Sequence, residues 1–444
     1  MLNIHVVESS RGLVFRHGRR KYALDWPAGV WRKCPKHLRE VLTDHLAHLL
    51  TMDVPLVAPA EGVTLNRARP VFWDLFRVLA MGSIPQAVEV YRPSTLDVLE
   101  QYRHTRYAFA TDVPKLPPRT PRKMRPRAVV LFSSGKDSLA SLGLARELGL
   151  DPVALYIDDT VSPAENRIKR AHLKRLAATG VATQLVTNRV EQLNDFMNWT
   201  GEESCLGYMH MVTGFALIAL PVALAHRAQY IVLGNEQDMN FPFVNKDAFH
   251  TYPSFDQTSN WTMQIDRMTR LLAGGVRTMS LIEPLTNLGV TQLLARRYPD
   301  LASLEVSCDS LDASDETRWC QACSKCARLS LMMRAVGADP STVGIRRDMM
   351  RRTDAGLYRV FDGRGVDNYE RSALMKEEQQ LAFMLAIENG LTGPLVDRFK
   401  KEFGRRGRAK LLAKFMKLYP AGTVPMELRG RLMGILEEAM RPRV

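Results

Sequence analysis

The sequence predicts an α/β protein whose central part is a parallel β-sheet covered by helices. Short, continuous apolar runs alternate there with segments of helical spacing, and the runs occupy residues 128–132, 153–157, 182–186 and 230–234. Strands that are buried on both faces have this appearance in parallel sheets. A polar turn containing glycine follows the first run, and four cysteines lie within residues 308–326. The polar turn and the cysteine cluster are therefore the candidate functional sites.

The first 125 residues are predicted to form an α+β region. Apolar β-like runs occupy 2–7 and 13–15, and a helical pattern covers 35–52. The region ends in a stretch rich in proline and basic residues, 113–127. Because proline removes a backbone donor and breaks helices, this stretch favours a linker and a domain boundary near residue 125.

The remainder of the chain is predicted to contain two more regions. Residues 126–338 form the α/β domain. Strand signals largely vanish in residues 339–444, where helices are expected over 371–389 and 394–418. The C-terminal region is therefore predicted to be helical.

The composition is that of an ordinary soluble globular protein. Hydrophobic residues make up 46% and charged residues 24% of the 444 residues, which excludes a disordered, collagen-like or disulfide-stapled class. The net charge of +14 should attract anions, among them nucleotides, phosphorylated metabolites, nucleic acid and an acidic membrane surface. Six cysteines are too few for a disulfide scaffold, and the crowding of four of them indicates metal chemistry in a reducing compartment.

Targeting and membrane signals are weak. The N-terminus has charged residues every few positions and no apolar stretch typical of a signal peptide, so a cytoplasmic location is expected. The most apolar segment, 211–225, contains Pro221 and is shorter than the roughly 20 residues that span a bilayer. We interpret it as a buried core helix and expect no membrane span.

Residues 133–138, Ser-Ser-Gly-Lys-Asp-Ser, are the most informative segment and are called the 133–138 loop below. They follow an apolar strand and precede a helical pattern, so backbone N–H groups, serine hydroxyls and the Lys136 ammonium gather at a helix N-terminus. Such an arrangement binds phosphate. The loop is not a Walker A motif, and the alternative is that Ser and Asp merely cap the helix.

The 133–138 loop resembles the S-G-G-x-D-S loop of the PP-loop ATP pyrophosphatases. Ser133, Gly135, Asp137 and Ser138 match the motif, and Ser134 replaces its first glycine. The resemblance covers about residues 128–335. It implies a doubly wound parallel sheet of the adenine nucleotide alpha hydrolase-like class, with ATP at the carboxyl ends of the strands. It also implies cleavage of ATP between the α- and β-phosphates and transfer of AMP to a substrate oxygen.

Polar side chains follow two other predicted strands. Asp158 and Asp159 come after the second run, where carboxylates accept hydrogen bonds from ribose or hold Mg²⁺; a solvated acid pair is the alternative. Asn235, Glu236 and Asp238 follow the run at 230–234 and are candidates for Mg²⁺, substrate or acid–base roles.

We therefore predict one set of catalytic residues and one set of ATP-binding residues. The catalytic set is Lys136, Asp137, Glu236 and Asp238, and the ATP-binding set is Ser133, Ser134, Gly135, Lys136, Asp137, Ser138, Asp158, Asp159 and Asn235.

The cysteines Cys308, Cys320, Cys323 and Cys326 are predicted to bind one metal ion. Three of them have C-x-x-C-x-x-C spacing, which lets their sulfurs face one point. Four thiolates satisfy a tetrahedral, structural Zn²⁺. A [4Fe–4S] cluster is the alternative.

The cysteines and the 133–138 loop together resemble two enzyme families. One is 7-cyano-7-deazaguanine synthase, which adenylates a carboxylate and carries a four-cysteine zinc. The segment from Trp319 to Cys326, the Gly-Asn-Glu triplet at 234–236 and the long N-terminal region look closer to the UDP-N-acetylmuramoyl-L-alanyl-L-glutamate epimerases. That resemblance implies activation of the terminal glutamate carboxylate by ATP and Mg²⁺ and inversion at its α-carbon. His210, Glu236 and Asp238, in or near the strand-end region, are candidates for the base, and a core role is the alternative for His210.

Two other functions remain open from the sequence. One is a synthase-like role in deazapurine or nucleic-acid modification, including phage defence, and the other is a non-enzymatic ATP sensor. Residues 398–417 concentrate basic side chains with Phe399, Phe403 and Phe415 between them. This pattern fits a nucleic-acid surface. It equally fits amphipathic helices whose Phe side chains pack inward, and an anionic small molecule is the substrate class we expect.

Overall fold

The structure is a computed structural model of the 444-residue chain. It describes every residue apart from 59, 92, 118–122, 160–162, 203, 309, 312–316, 366–369, 371 and 442–444. The predicted linker at 113–127 therefore lies partly outside the described residues.

Twelve strands occur in the described part of the chain. They are β1 (Leu2–Glu8), β2 (Gly12–His17), β3 (Arg20–Asp25), β4 (Gly62–Ala68), β5 (Arg106–Thr111), β6 (Arg125–Leu131), β7 (Val153–Asp158), β8 (Ala182–Asn188), β9 (Ala228–Leu233), β10 (Phe243–Val244), β11 (His250–Thr251) and β12 (Arg277–Ser280).

The same residues form helices of very different lengths. In the first 273 residues these are α1 (Val30–Lys33), α2 (Lys36–Leu49), α3 (Val54–Val57), α4 (Trp73–Ala87), α5 (Thr95–His104), α6 (Lys136–Glu147), α7 (Pro163–Ala178), α8 (Met197–Thr200), α9 (Met211–His226) and α10 (Ser259–Ala273). They are followed by α11 (Asn287–Arg297), α12 (Pro299–Ala302), α13 (Ser324–Ala335), α14 (Ala373–Glu388), α15 (Pro394–Glu402), α16 (Arg408–Phe415) and α17 (Met426–Met440).

Ten strands form one mixed sheet in the order β12-β9-β6-β7-β8-β3-β2-β1-β4-β5. From β12 to β8 every neighbouring pair is parallel. The chain runs outward from β6 through β7 to β8, and then returns to the other side of β6 with β9 and β12. The strand order therefore reverses at β6, which is where ligands bind in open α/β sheets.

Alternate residues of the parallel strands pack into different cores, because successive side chains of a strand point to opposite faces. Val129 and Leu155 join a core with α9 and α10, whereas Val130 and Ala154 join a core with α6 and α11. Both faces of the parallel strands are therefore covered by helices. This is why the runs of β6, β7 and β9 are almost wholly apolar, whereas the half-buried β8 also carries Thr183 and Gln184.

Strands from the first 125 residues continue this sheet. β3 pairs antiparallel with β8, and β1 and β2 follow β3 in the sheet order. The indole Nε1 of Trp26 donates a hydrogen bond to the carbonyl oxygen of Ile218 in α9, at 2.8 Å. The N-terminal residues thus share a core with α9 and α10. The division of the chain into three domains stays a prediction.

The predicted strands and the core helix are confirmed. The four apolar runs coincide with β6 to β9, and the two N-terminal runs with β1 and β2. Residues Leu206–His226 are long and apolar enough to cross a membrane by length and composition, but 67% of the most apolar window is buried inside the protein. The segment serves here as a core helix against β6 and β9. A cytoplasmic location stays a prediction.

The C-terminal helices pack their aromatic side chains inward. Phe399 and Phe415 are fully buried, and Phe399 stacks on Phe383 with 4.9 Å between ring centroids. Phe403 packs against the same cluster. The rings of Phe399 and Phe415 are therefore not available to stack on bases. Nucleic-acid binding by this region stays a prediction.

Candidate active site

A cleft of about 610 Å³ opens at the carboxyl ends of β6, β7 and β9. Its apolar wall comes from strand ends and from α9, with Leu131, Ile157, Met211, Phe215 and Leu233. Its polar side chains include Ser133, Asp137, Ser138, Asp159 and Asn235. This volume and mixture of surfaces are typical of small-ligand sites, and five of the predicted site residues line it.

The 133–138 loop joins β6 to α6 at the edge of this cleft. Gly135 is the residue before α6, and the first N–H groups of a helix have no partner within the helix. The hydroxyl of Ser138 donates to the carbonyl of Gly135 at 2.9 Å, and the oxygens of Ser133 and Ser138 lie 3.4 Å apart. The loop therefore presents hydroxyls and a helix N-terminus to the cleft, which suits an anion.

The side chain of Ser134, a predicted ATP-binding residue, is not among those that line the cleft. It is fully buried, with φ at 60°, in the left-handed region that favours glycine. Its hydroxyl donates to the carbonyl of Leu304 at 2.7 Å and lies 2.8 Å from Nδ1 of His172. The Ser134 side chain thus anchors the loop to the protein.

Lys136 lies between two carboxylates. Its Nζ is 2.5 Å from Oδ1 of Asp137 and 2.7 Å from Oε2 of Glu236. Burial alone would lower the pKa of Lys136, but the charges of Asp137 and Glu236 outweigh it and raise the pKa above its ordinary value. The ammonium is therefore charged and held in one position beside the cleft.

The two acidic residues after β9 have different surroundings. Burial raises the pKa of Glu236, with Asp137 adding to the effect and Lys136 opposing it. Asp238 accepts a hydrogen bond from the backbone N–H of Asn287, at the start of α11. Burial raises the pKa of Asp238 as well, and Glu378 adds to the effect. Glu236 contacts the 133–138 loop, whereas Asp238 faces the helix end.

The two acidic residues after the apolar run of β7, Asp158 and Asp159, also have different surroundings. Asp159 lines the cleft. Asp158 is fully buried and pairs with the guanidinium groups of Arg170 and Arg189, outside the residues that line the cleft. The predicted ribose or Mg²⁺ contact of the Asp158 side chain is therefore not favoured by its position, while that of Asp159 is.

His210 precedes α9 and is buried between two acids. Its Nδ1 lies 2.8 Å from Oδ2 of Asp53, and its Nε2 lies 3.4 Å from Oε1 of Glu191. Burial would lower the pKa of His210, but Glu191 and Asp53 together raise it to about 10. Both ring nitrogens of His210 face buried acids, so the core role is the one the geometry supports.

The four predicted cysteines converge on one point. Their Sγ atoms all lie within 4.8 Å of one another, with close separations of 3.6 to 3.9 Å. Sulfurs that sit about 2.3 Å from one tetrahedral zinc lie about 3.8 Å apart. An iron–sulfur cluster needs wider spacing, because each thiolate binds a different iron. The cluster can therefore hold a single metal ion such as zinc.

The cysteine cluster is linked to the 133–138 loop. The backbone N–H of Val306 donates to the carbonyl of Ser134 at 2.8 Å, two residues before Cys308. Lys325, between Cys323 and Cys326, lines the cleft. One wall of the cleft therefore depends on how the cysteine segment is held.

Several residues near the cleft were missed from the sequence. Tyr156, Tyr208 and Lys169 line it. Glu305 is buried, and burial raises its pKa to about 8 while Lys136 opposes the rise. A glutamate three residues before a cysteine carries no signal in the sequence, because its position beside Lys136 depends on how distant segments pack.

No protein-family model matches the chain. The chain is similar to a UDP-N-acetyl-alpha-D-muramoyl-L-alanyl-L-glutamate epimerase from a Micromonospora strain, with 27% identity over 224 residues. The match covers 47% of this chain and 44% of the relative, so the chain spans less than half the length of that protein in the alignment. This is a distant relation to an enzyme.

Proposed function

We propose that this chain is an ATP-dependent enzyme that activates a substrate carboxylate as its acyl-adenylate. The observation that carries the proposal is the position of Lys136 and the α6 N-terminus beside a cleft at the carboxyl end of β6. Charge fixed in advance at the place where negative charge develops is a large source of catalysis. Departure of pyrophosphate creates such charge.

In this proposal the acceptor is the terminal glutamate of a UDP-muramoyl-L-Ala-L-Glu precursor. Its support is the printed activity of the distant relative and the match of the 133–138 loop to the PP-loop motif. A carboxylate oxygen attacks the α-phosphorus of ATP, and the bond to the β-phosphate oxygen breaks. Asp137 and Asp159 supply the oxygen ligands that would hold Mg²⁺ beside the phosphates.

The activation explains why an epimerase would need ATP. A free carboxylate resists loss of its α-proton, whereas the mixed anhydride with AMP stabilises the resulting carbanion as an enolate. Glu236 is the base that we propose, because it is the buried carboxylate in contact with Lys136. A proton from solvent added to the opposite face inverts the centre, and Glu236 returns the abstracted proton to solvent. Water then cleaves the anhydride to the carboxylate and AMP.

The cysteine cluster has a structural role in this proposal. Four thiolates leave no open position on a tetrahedral zinc, so the metal would stabilise the segment from Cys308 to Cys326 and take no part in catalysis. The segment in turn contacts the 133–138 loop.

Incubation of the UDP-muramoyl dipeptide with ATP and Mg²⁺ in D₂O tests this function. Deuterium should enter the glutamate α-carbon, and pyrophosphate should be released. Lys136→Ala should abolish both, whereas Arg146→Ala, on the exposed side of the same helix, should change neither. Absence of exchange, together with pyrophosphate release on a deazapurine carboxylate, would favour the nitrile-forming alternative. ATP binding without pyrophosphate release on either substrate would favour a sensor.

A further inference from the structure

A second pocket, of about 680 Å³, lies beside the cleft. It is formed by α7 and by the residue that follows β8, and it shares Asp159 with the cleft. The part of its wall that faces the cleft is held by hydrogen bonds. Tyr156, which lines the cleft, donates to Asn166, which lines the pocket, and Asn166 donates to the carbonyl of Asp159 at 2.5 Å. The two spaces are therefore neighbours that share Asp159 and are linked by these hydrogen bonds.

Basic side chains dominate the second pocket. Arg167, Arg170 and Lys174 lie three to seven positions apart on α7, so they share one helix face. Arg189 comes from the other wall. Four cationic side chains thus face the carboxylates of Asp158 and Asp159. The side chains that line the pocket thus carry more positive than negative charge.

Asp158 explains how two of these cations are positioned. The buried carboxylate, which also lines the pocket, pairs with both Arg170 and Arg189. Arg189 also donates to the carbonyl oxygens of Asp158 and Asp159, each at 3.2 Å. The Arg170 and Arg189 side chains are still 45% and 31% exposed. Their guanidinium groups are therefore held in place with donors left for an anion.

We propose that this pocket binds a diphosphate carried by the acceptor substrate, at a site separate from the phosphates of ATP. The inference rests on the proposed function for the identity of the acceptor, because the relative acts on a UDP-linked molecule. A molecule anchored there by its phosphates could extend past Asp159 into the cleft, where its carboxylate is activated. The pocket would thus select acceptors that carry phosphate at a distance from the reacting carboxylate.

Titration of uridine diphosphate into the full chain tests the pocket without any turnover. The protein is first saturated with α,β-methylene-ATP and Mg²⁺, so that the 133–138 loop is occupied by a nucleotide that is not cleaved there. Lys174→Glu and Arg167→Glu should each weaken binding of uridine diphosphate by about tenfold or more, because each removes a charge-assisted contact and adds repulsion. Arg267→Glu, an exposed charge reversal on α10, should leave the affinity unchanged.

The outcomes separate this inference from the proposed function. Binding of uridine diphosphate that Lys174→Glu weakens, without deuterium exchange in the dipeptide, would support the pocket and contradict the epimerase. No binding to the wild-type protein, or equal binding by all variants, would overturn the pocket. So would loss of single-stranded RNA binding in Lys174→Glu with unchanged binding of uridine diphosphate, since the cations would then serve a nucleic-acid surface.

Discussion

The hydroxyl of Ser134 lies 2.7 Å from the carbonyl oxygen of Leu304, which joins the 133–138 loop to the segment that leads into the cysteine cluster. The same hydroxyl contacts His172 at 2.8 Å. With its own hydrogen directed to Leu304, the Ser134 oxygen accepts from Nδ1 of His172. One buried side chain thus satisfies two partners from distant parts of the chain.

Ser134→Ala should lower the free energy of unfolding by about 1–3 kcal/mol, because the buried groups of His172 and Leu304 lose their partner. Ser134→Gly loses the same hydrogen bonds but relieves the left-handed backbone at φ 60°. It should therefore be about 1 kcal/mol more stable than Ser134→Ala. Urea denaturation of the three proteins measures both differences, and equal stability of the two variants would contradict the role of the backbone conformation.

The metal should influence ATP binding as well as stability. Analysis of the purified protein should find one zinc per chain, and Cys326→Ser should lower both the metal content and the denaturation midpoint. ATP affinity should fall with them, because the 304–308 segment holds the 133–138 loop. Cys205→Ser, the same chemical change outside the cluster, is the control. Iron with visible absorption, or no metal at all, would contradict the zinc site.

Glu236 and Lys136 should act in different steps of the proposed reaction, Lys136 in formation of the acyl-adenylate and Glu236 in removal of the α-proton. Glu236→Gln keeps Lys136 and the helix end in place, so acyl-adenylate formation should continue and ATP–pyrophosphate exchange should persist. Deuterium incorporation at the glutamate α-carbon should fall by about 10²–10⁴-fold, the usual contribution of a general base. Asp238→Asn should mainly lower stability, because Asp238 bonds to the start of α11. Loss of both reactions in Glu236→Gln would assign Glu236 to the phosphate step.

The buried ion pairs of His210 should make stability depend on alkaline pH. The pKa of His210 is raised to about 10 in the folded protein from an ordinary value of 6.5. The stabilisation that the protonated His210 adds to the free energy of unfolding is therefore fully present below pH 6.5. It is lost as the pH rises towards 10. Glu191→Gln should weaken this loss, since Glu191 is the largest influence that raises the pKa.

Midpoints of urea denaturation, determined for the wild type and Glu191→Gln at several pH values from neutral to alkaline, measure this difference in the pH dependence of stability. His226→Gln is the control from the other end of α9, because burial lowers the pKa of His226 and leaves no such contribution to lose. Parallel pH profiles of the wild type and Glu191→Gln would contradict the prediction.

The fold was predictable where burial leaves a pattern along the chain. Strands β7 and β9 and the second half of β6 are covered on both faces, so their residues are almost all apolar and appear as continuous runs. β8 is mostly half-buried and mixes apolar with polar residues. β12 was missed because its four residues, Arg277–Ser280, contain one large apolar side chain, Met279. It lies at the sheet edge and pairs with β9 alone. β12 belongs to the sheet because it pairs with β9, and its own residues give no strand pattern.

The site was predictable as a segment but not as a set of side-chain directions. The strand, polar turn and helix around residues 133–138 have the local order that the sequence predicts. The direction of Ser134 depends on His172 and Leu304, which are 38 and 170 residues away. That of Asp158 depends on Arg170 and Arg189. Partners at such separations leave no periodic signal.

The hydrogen bond from Trp26 to Ile218 spans 192 residues and has a consequence for synthesis on the ribosome. The first strands emerge early, but α9 and α10, which cover their apolar side chains, are completed only when residue 273 has been made. Until then the nascent chain exposes a large apolar surface, and contacts of such long range form slowly. We therefore expect chaperones to shield the N-terminal half of this chain during its synthesis.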